Sequence, residues 1–189
     1  GDGKISGVVM GTRSGVLRIR SVSADRGGSN LRAEKGINLP DTDIPVAALT
    51  PKDEDDLGTV AELADLAALS FVRQPDDVKL LLDRLRAHRA EHVGVVLKIE
   101  TAQAFANLPD LLWTAMAHRD VGVMIARGDL AVEAGYERLA EVQEEILWLC
   151  EAAHVPAIWA TEVLDGLAKT GRPSRSEITD AAMAERAEC

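Results

Sequence analysis

Two hydrophobic rhythms divide the chain. Up to residue 40, short apolar pieces sit between glycines: Gly1, Gly3, Gly7, Gly11, Gly15, Gly27, Gly28 and Gly36. Val16-Leu17-Arg18-Ile19-Arg20 alternates, with Leu17 and Ile19 on one side and Arg18 and Arg20 on the other. Period 2 predicts a half-exposed strand. Thr12-Arg13-Ser14-Gly15 is a turn signal, and residues 5–10 supply a partner strand. The first 40 residues therefore predict a small β piece.

Beyond Pro40 the period changes. Thr50-Pro51-Lys52-Asp53 starts a helix, with a capping Thr, Pro at the first position and an acid in the first turn. Leu57, Val60, Ala61 and Ala64 follow at helical spacing. An apolar run over 66–72 comes next. A helix over 76–90 carries Val78, Leu81, Leu82 and Leu85 on one side, and a second run covers 93–99. A helix over 101–107 leads to a third run, 121–126. The helix over 137–153 shows a 3.6-residue stripe of Leu139, Val142, Ile146, Leu149, Cys150 and Ala153. A fourth run spans 156–160, and Ser174-Arg175-Ser176-Glu177 has the spacing of a capping box that opens a last helix.

Continuous apolar runs alternating with helices are the signature of parallel strands covered on both faces. The expected fold class is α/β. The runs recur every 30 residues or so, which suits a (β/α) barrel, with an open doubly wound sheet as the alternative. At 189 residues the chain falls short of the roughly 250 of a complete eight-fold barrel. There is no initiator Met, and Glu185 to Cys189 read as the end of a helix. Both ends are expected to be cut from a longer protein.

Charge and composition narrow the function classes. There are 21 basic and 31 acidic residues, a net charge of −10. This argues against a general binder of nucleic acid or anionic membrane. With 3% aromatic residues, stacking platforms for single strands are not expected. Cys150 and Cys189 make no disulfide framework and fit a reducing compartment. No apolar run nears the roughly 20 residues of a membrane span.

The candidate chemistry lies where each run stops. The first run ends on Ser70 and Arg73, the second on Lys98 and Glu100, the third on Arg127, Gly128 and Asp129, and the fourth on Thr161 and Glu162. In barrels and open α/β sheets these strand ends share one rim, where sites form. Glu100 and Asp129, with water and substrate oxygens, would make an octahedral oxygen site for Mg²⁺ or Mn²⁺. No Cys/His cluster points to zinc. Lys98 could neutralise a transferring phosphoryl group or a developing enolate. Gly128 would let backbone N–H groups approach an anion closely. The arginines and Lys98 are expected to form a cationic rim that offsets the overall negative charge. His88, His92, His118 and His154 lack metal spacing and are expected on the surface or in loops. Cys150 is expected to be buried, and Trp113, Trp148 and Trp159 to be packing residues.

The ordered set of motifs resembles the pyruvate kinase family along nearly the whole chain. Asp2-Gly3-Lys4-Ile5 resembles a strand turn of that family's small β lid. Glu34-Lys35-Gly36-Ile37-Asn38-Leu39-Pro40 resembles the segment leading back to the barrel. Ala68-Leu69-Ser70-Phe71-Val72-Arg73, Lys98-Ile99-Glu100, Val123-Met124-Ile125-Ala126-Arg127-Gly128-Asp129-Leu130 and Ile158-Trp159-Ala160-Thr161 resemble successive barrel strands, followed by Arg172-Pro173-Ser174-Arg175-Ser176-Glu177. The string from Met124 to Leu130 is the most specific of them. The resemblance implies a partial TIM-type (β/α)8 barrel with a partial small β lid domain. Residues 1–40 would be the C-terminal part of the lid, and 41–189 the central portion of the barrel, with about four to five βα units.

The resemblance also implies phosphoryl transfer between phosphoenolpyruvate and ADP, giving pyruvate and ATP. Mg²⁺ (or Mn²⁺) is the implied cofactor, together with K⁺ whose ligands lie mostly outside this segment. Lys98 would be catalytic, stabilising the transferring group and contacting substrate. Gly128, Asp129 and Thr161 would bind pyruvate or phosphoenolpyruvate. Glu100 and Asp129 would hold the metal, Lys35 would reach the nucleotide, and Ser70 would stand near Lys98. A cytoplasmic, homo-oligomeric full-length protein is implied, with the segment alone inactive. Three departures stand out: Ala131 where the family usually has Gly, Glu162 where Gln is usual, and Asp41 rather than Gly. Ala131 and Glu162 keep open a non-catalytic homologue, and a Mg²⁺-dependent aldolase or lyase on a related barrel remains a further alternative.

Overall fold

A computed structural model describes residues 3–24, 27–28, 36–42 and 44–189. The chain divides into two compact units, Gly1–Leu39 and Pro40–Cys189.

The first unit is a hairpin. Strand β1 (Ile5–Arg13) pairs antiparallel with β2 (Val16–Ala24). The link is Ser14-Gly15, both with positive φ (46° and 78°). That geometry matches the right-handed twist of the flanking strands and explains the glycine. A second glycine is fixed by close approach. A Cβ on Gly7 would come within 2.6 Å of the Ile19 side chain and 2.8 Å of the Arg20 carbonyl oxygen. The register pairs Val9 with Ile19 and Thr12 with Leu17, with irregularities at Ser6/Gly7 and Val9/Gly11. One covered face was expected here, but every residue of both strands is exposed. Period 2 places Leu17 and Ile19 on a common side without supplying anything to bury them against.

The second unit is built on a parallel sheet of β3 (Leu66–Leu69), β4 (Gly94–Ile99), β5 (Val121–Ala126) and β6 (Ala157–Ala160). Their spatial order is their sequence order. A doubly wound sheet reverses order at a switch point, and these four strands show no reversal. Two rows of side chains run straight across the sheet: Leu69, Leu97, Val123 and Ala157, then Ile99, Ile125 and Trp159. All seven are buried in one core.

The helices cover this core. They are α1 (Pro51–Leu63), α2 (Pro75–Ala87), α3 (Ala102–Ala106), α4 (Leu108–Ala115), α5 (Arg127–Ala134), α6 (Leu139–Ala153), α7 (Asp165–Thr170) and α8 (Arg175–Ala184). In α1, Asp53 N–H donates to Thr50 Oγ1 at 3.2 Å, and Thr50 N–H donates to Asp53 Oδ2 at 2.7 Å. This reciprocal cap satisfies two end amides at once. Val78, Leu81, Leu82 and Leu85 of α2 are all buried, as are Val142, Ile146 and Cys150 of α6. The helical stripes are thus the core faces that their spacing implied.

Several boundaries differ from the sequence reading. The helix expected over 101–107 is two helices, α3 and α4, the second with Pro109 in its first turn. Two helices are additional: α5 starts directly at the end of β5, and α7 is a single short turn between left-handed caps at Leu164 and Gly171. Trp113 and Trp148 are 81% and 56% exposed, so of the three tryptophans only Trp159 packs in the core. Glu185 caps α8, its N–H donating to the Ala181 carbonyl (3.2 Å), so the helix ends there as expected. The last two residues then turn to the sheet: Glu188 N–H donates to the Ala157 carbonyl (3.1 Å), and Trp159 N–H donates to the Cys189 carbonyl (2.7 Å). The chain here lies along β6 as paired backbone. Among the described residues no helix is long and apolar enough to cross a membrane.

Candidate functional site at the strand ends

Side chains alternate along β4. Leu97 and Ile99 point into the core, so Lys98 and Glu100 share the opposite face. Ser70 continues β3 on the same parity as its partner positions. The three meet. Lys98 Nζ lies 2.9 Å from Glu100 Oε1 and donates to Ser70 Oγ at 3.0 Å. Glu100 is buried, and its second oxygen, Oε2, accepts the Phe71 N–H at 2.5 Å. Phe71 has φ +50°, an uncommon backbone state for a bulky residue. The left-handed turn after β3 is thus fastened to a charged acceptor.

A second cluster forms where β5 and β6 end. Arg127-Gly128-Asp129 opens α5, so Gly128 and Asp129 stand in its first turn, where backbone N–H groups lack intrahelical acceptors. Gly128 N–H donates to Thr161 Oγ1 at 3.2 Å, and Thr161 Oγ1 donates to the Ala160 carbonyl at 2.6 Å. Thr161 and Glu162 both have positive φ, 70° and 52°. Backbone strain of this kind gathers at sites, and here it marks the ends of both β3 and β6. A Cβ on Gly128 would meet Thr161 only at 3.9 Å, an ordinary contact. Packing within the chain therefore does not require a glycine there.

The cations expected at the rim all bond within the chain. Arg73 donates to the carbonyls of Ile44 (2.6 Å) and Val46. Arg127 pairs with Asp180 and donates to two carbonyls of the β6 end. Lys98 is paired with Glu100. All three cations are engaged by the chain itself, Lys98 and Arg127 with carboxylates and Arg73 with neutral carbonyls. Lys35, expected near a nucleotide, lies outside the described residues, as do Asp2 and Glu34 of the resembling motifs. His118 is half-buried, with Nε2 2.8 Å from the Val93 carbonyl oxygen.

Sequence reasoning did not single out Phe71, or Asp180 on α8. Phe71 stands next to Ser70, but nothing in its residue type announces a left-handed backbone. Asp180 is nineteen residues past Thr161 and carries no motif of its own.

Glu100 follows β4 and Asp129 lies in the first turn of α5, after the neighbouring β5; both are hard oxygen donors. Among the described residues no group of three or more His, Cys, Asp or Glu converges to hold a metal. A cation at this pair would take its remaining ligands from water and substrate. Mg²⁺ accepts such an arrangement readily, being held by one or two carboxylates plus substrate oxygens. The donor set fits.

Parallel strands in sequential order, with polar groups gathered past their C-terminal ends, define an α/β protein of the kind whose sites occupy the loop rim. Comparison with known proteins gives the family. The family model described as pyruvate kinase, barrel domain, matches residues 1–186, and the chain belongs to the pyruvate kinase family. A pyruvate kinase of Geobacillus stearothermophilus is 35% identical over 158 residues, covering 83% of this chain and 26% of that protein. One from Thermotoga maritima is 36% identical over 159 residues, covering 83% and 33%. Pyruvate kinase 2 of Candida glabrata is 33% identical over 176 residues, covering 92% and 33%. The chain spans about a quarter to a third of the length of these relatives.

Proposed function

We propose that this chain is the site-bearing portion of a pyruvate kinase-like phosphotransferase, moving a phosphoryl group between phosphoenolpyruvate and ADP to give pyruvate and ATP. The observation that carries the reading is the Lys98–Glu100 pair, a lysine fixed at 2.9 Å from a buried carboxylate and steadied by Ser70. A positioned ammonium is the group that phosphoryl transfer needs, because catalysis there is mostly placement and charge neutralisation. Lys98 would face the transferring phosphoryl group. Gly128 and Asp129 in the first turn of α5, with Thr161 held against Gly128, would contact the carboxylate and enolate end of the substrate. The absence of any packing need for Gly128 supports close approach by a ligand. Glu100 and Asp129 would hold Mg²⁺, which supplies positive charge to the phosphoryl and enolate oxygens. Lys35 would serve the nucleotide.

In this reading residues 1–40 are part of a small β lid and 41–189 are the central part of a (β/α)8 barrel in a cytoplasmic homo-oligomer. Potassium would bind mostly through residues outside the chain. With only part of the barrel rim present, the isolated chain would be inactive. The test is metal-dependent pyruvate formation from phosphoenolpyruvate and ADP by the protein that carries this segment, coupled to lactate dehydrogenase, beside Glu100→Ala. Turnover that persists undiminished in Glu100→Ala would overturn the assignment.

One observation favours a second reading. Glu162 adds an exposed carboxylate directly after Thr161, against an anion site. Metal-dependent binding of phosphoenolpyruvate without turnover would point to a non-catalytic homologue.

A further inference from the structure

Arg127 is the residue at the rim whose chemistry its sequence position does not explain. An arginine at the mouth of an anion site is the natural arm for a phosphate. Here its side chain is only 11% exposed. Nε donates to the Ala160 carbonyl at 2.8 Å, one terminal nitrogen donates to the Thr161 carbonyl, and the other pairs with Asp180 of α8. The guanidinium lies 4.9 Å from the centroid of the Trp159 ring. Every edge of the fork meets the last residues of β6 or the helix beyond them.

These contacts converge on one residue. Thr161 is gripped by its carbonyl oxygen through Arg127 and by its Oγ1 through the N–H of Gly128. The two donors are adjacent in sequence. Between them they fix both ends of a residue at φ +70°, a conformation that a threonine does not hold unaided.

We infer that Arg127 is a positioning residue: its guanidinium clamps the left-handed Thr161–Glu162 turn to α8 and thereby sets the Thr161 hydroxyl against the Gly128 amide, without touching substrate. The consequence for binding rests on the function proposed above, since Thr161 and Gly128 would form the receiving end for phosphoenolpyruvate. The clamp itself rests only on the contacts named. Lysine cannot replace it, because a single ammonium cannot reach three acceptors in fork geometry.

The Gly128 amide provides a direct reading. In the first turn of α5 it has no intrahelical acceptor, so its protection from hydrogen exchange reports its bond to Thr161. In the full chain, Arg127→Lys and Arg127→Met are expected to speed exchange at Gly128 by about tenfold, the loss of one modest hydrogen bond. The Leu97 and Val123 amides in the sheet should keep their rates, which separates loss of position from loss of fold. Asp180→Asn, which leaves the carbonyl bonds in place, should give a smaller rise and serves if the arginine variants do not fold. Unchanged exchange at Gly128 in a folded Arg127 variant overturns the inference. Phosphoenolpyruvate titrated with Mg²⁺ separates the two claims. Wild-type binding that weakens about tenfold in Arg127→Lys is the expected result, and equal affinity in the two overturns the positioning role. With the titration run on the protein that carries this segment, a wild type that binds no phosphoenolpyruvate counts against the proposed function, while the clamp is still decided by the exchange rates.

Discussion

Lys98 and Glu100 are two residues apart on one strand end, and their charged atoms are 2.9 Å apart with the carboxylate almost wholly enclosed. A pair of this kind is asymmetric in its energetics. Making it contributes little net stability, because both ions lose water, but breaking it leaves an uncompensated charge inside.

Lys98→Met is therefore expected to destabilise the fold by about 2 kcal/mol, below the 3–5 of a fully enclosed pair because the lysine is a quarter exposed. The double variant Lys98→Met/Glu100→Gln should recover most of that loss. Urea unfolding of the two single variants and the double one measures the coupling. Strictly additive losses would show that the pair does not act as a unit.

A second carboxylate organises the segment after β6. Glu177 accepts from the backbone N–H groups of Ser174 (2.7 Å) and Gly166, closing the cap of α8 and tying it to α7. Those backbone bonds, Ser174 first and then Gly166, hold its carboxyl below the ordinary glutamate range. A lowered folded value means stability that is present above the unfolded value of about 4.3 and lost as pH falls through the folded one. Acid titration followed by circular dichroism should show this component in the wild type and lose it in Glu177→Gln.

The two thiols should differ sharply in reactivity. Cys150 is buried on α6, and burial, with a smaller contribution from the Glu188 carboxylate, pushes its thiol up to about 12. Cys189 is exposed. A thiol reagent at pH 8 should label Cys189 promptly and Cys150 only after unfolding, read by mass spectrometry. The raised value also means that stability is lost as pH climbs above about 8.5, where the unfolded thiol ionises and the buried one does not. Cys150→Val should remove that alkaline loss.

Leu97 sits at the centre of the row from Leu69 to Ala157 and has no exposed surface. Leu97→Ala should cost about 2–5 kcal/mol. Leu66, on the same sheet but 62% exposed, should lose about 0.5 kcal/mol or less as Leu66→Ala. Chemical denaturation of the two variants makes the comparison.

Much of this architecture was legible because burial on two faces writes itself into the chain. The runs at 93–99, 121–126 and 156–160 became β4, β5 and β6 nearly residue for residue. The caps at Thr50 and Ser174 did the same for α1 and α8. Elements without a local signature escaped. Helix α5 has no side-chain cap and begins in the motif itself, and α7 is one turn between left-handed residues. At the site, position along the chain brought Ser70, Lys98 and Glu100 to one place, because strand parity is a property of sequence. What each cation would bind was not legible. Arg73 and Arg127 are committed to carbonyls from residues 27 to 34 positions away, and only tertiary structure brings those acceptors within reach.

The enclosure of Trp159 gives this arrangement an optical property. Trp113 and Trp148 stand in water, while Trp159 is 6% exposed with a guanidinium over its ring. Emission from the two outer indoles should sit at longer wavelength and yield readily to a soluble quencher. The enclosed indole should emit to the blue and resist it. Replacing Trp113 and Trp148 with phenylalanine would leave a chain whose fluorescence colour reports, in solution and in real time, whether the ring of Trp159 stays enclosed at β6.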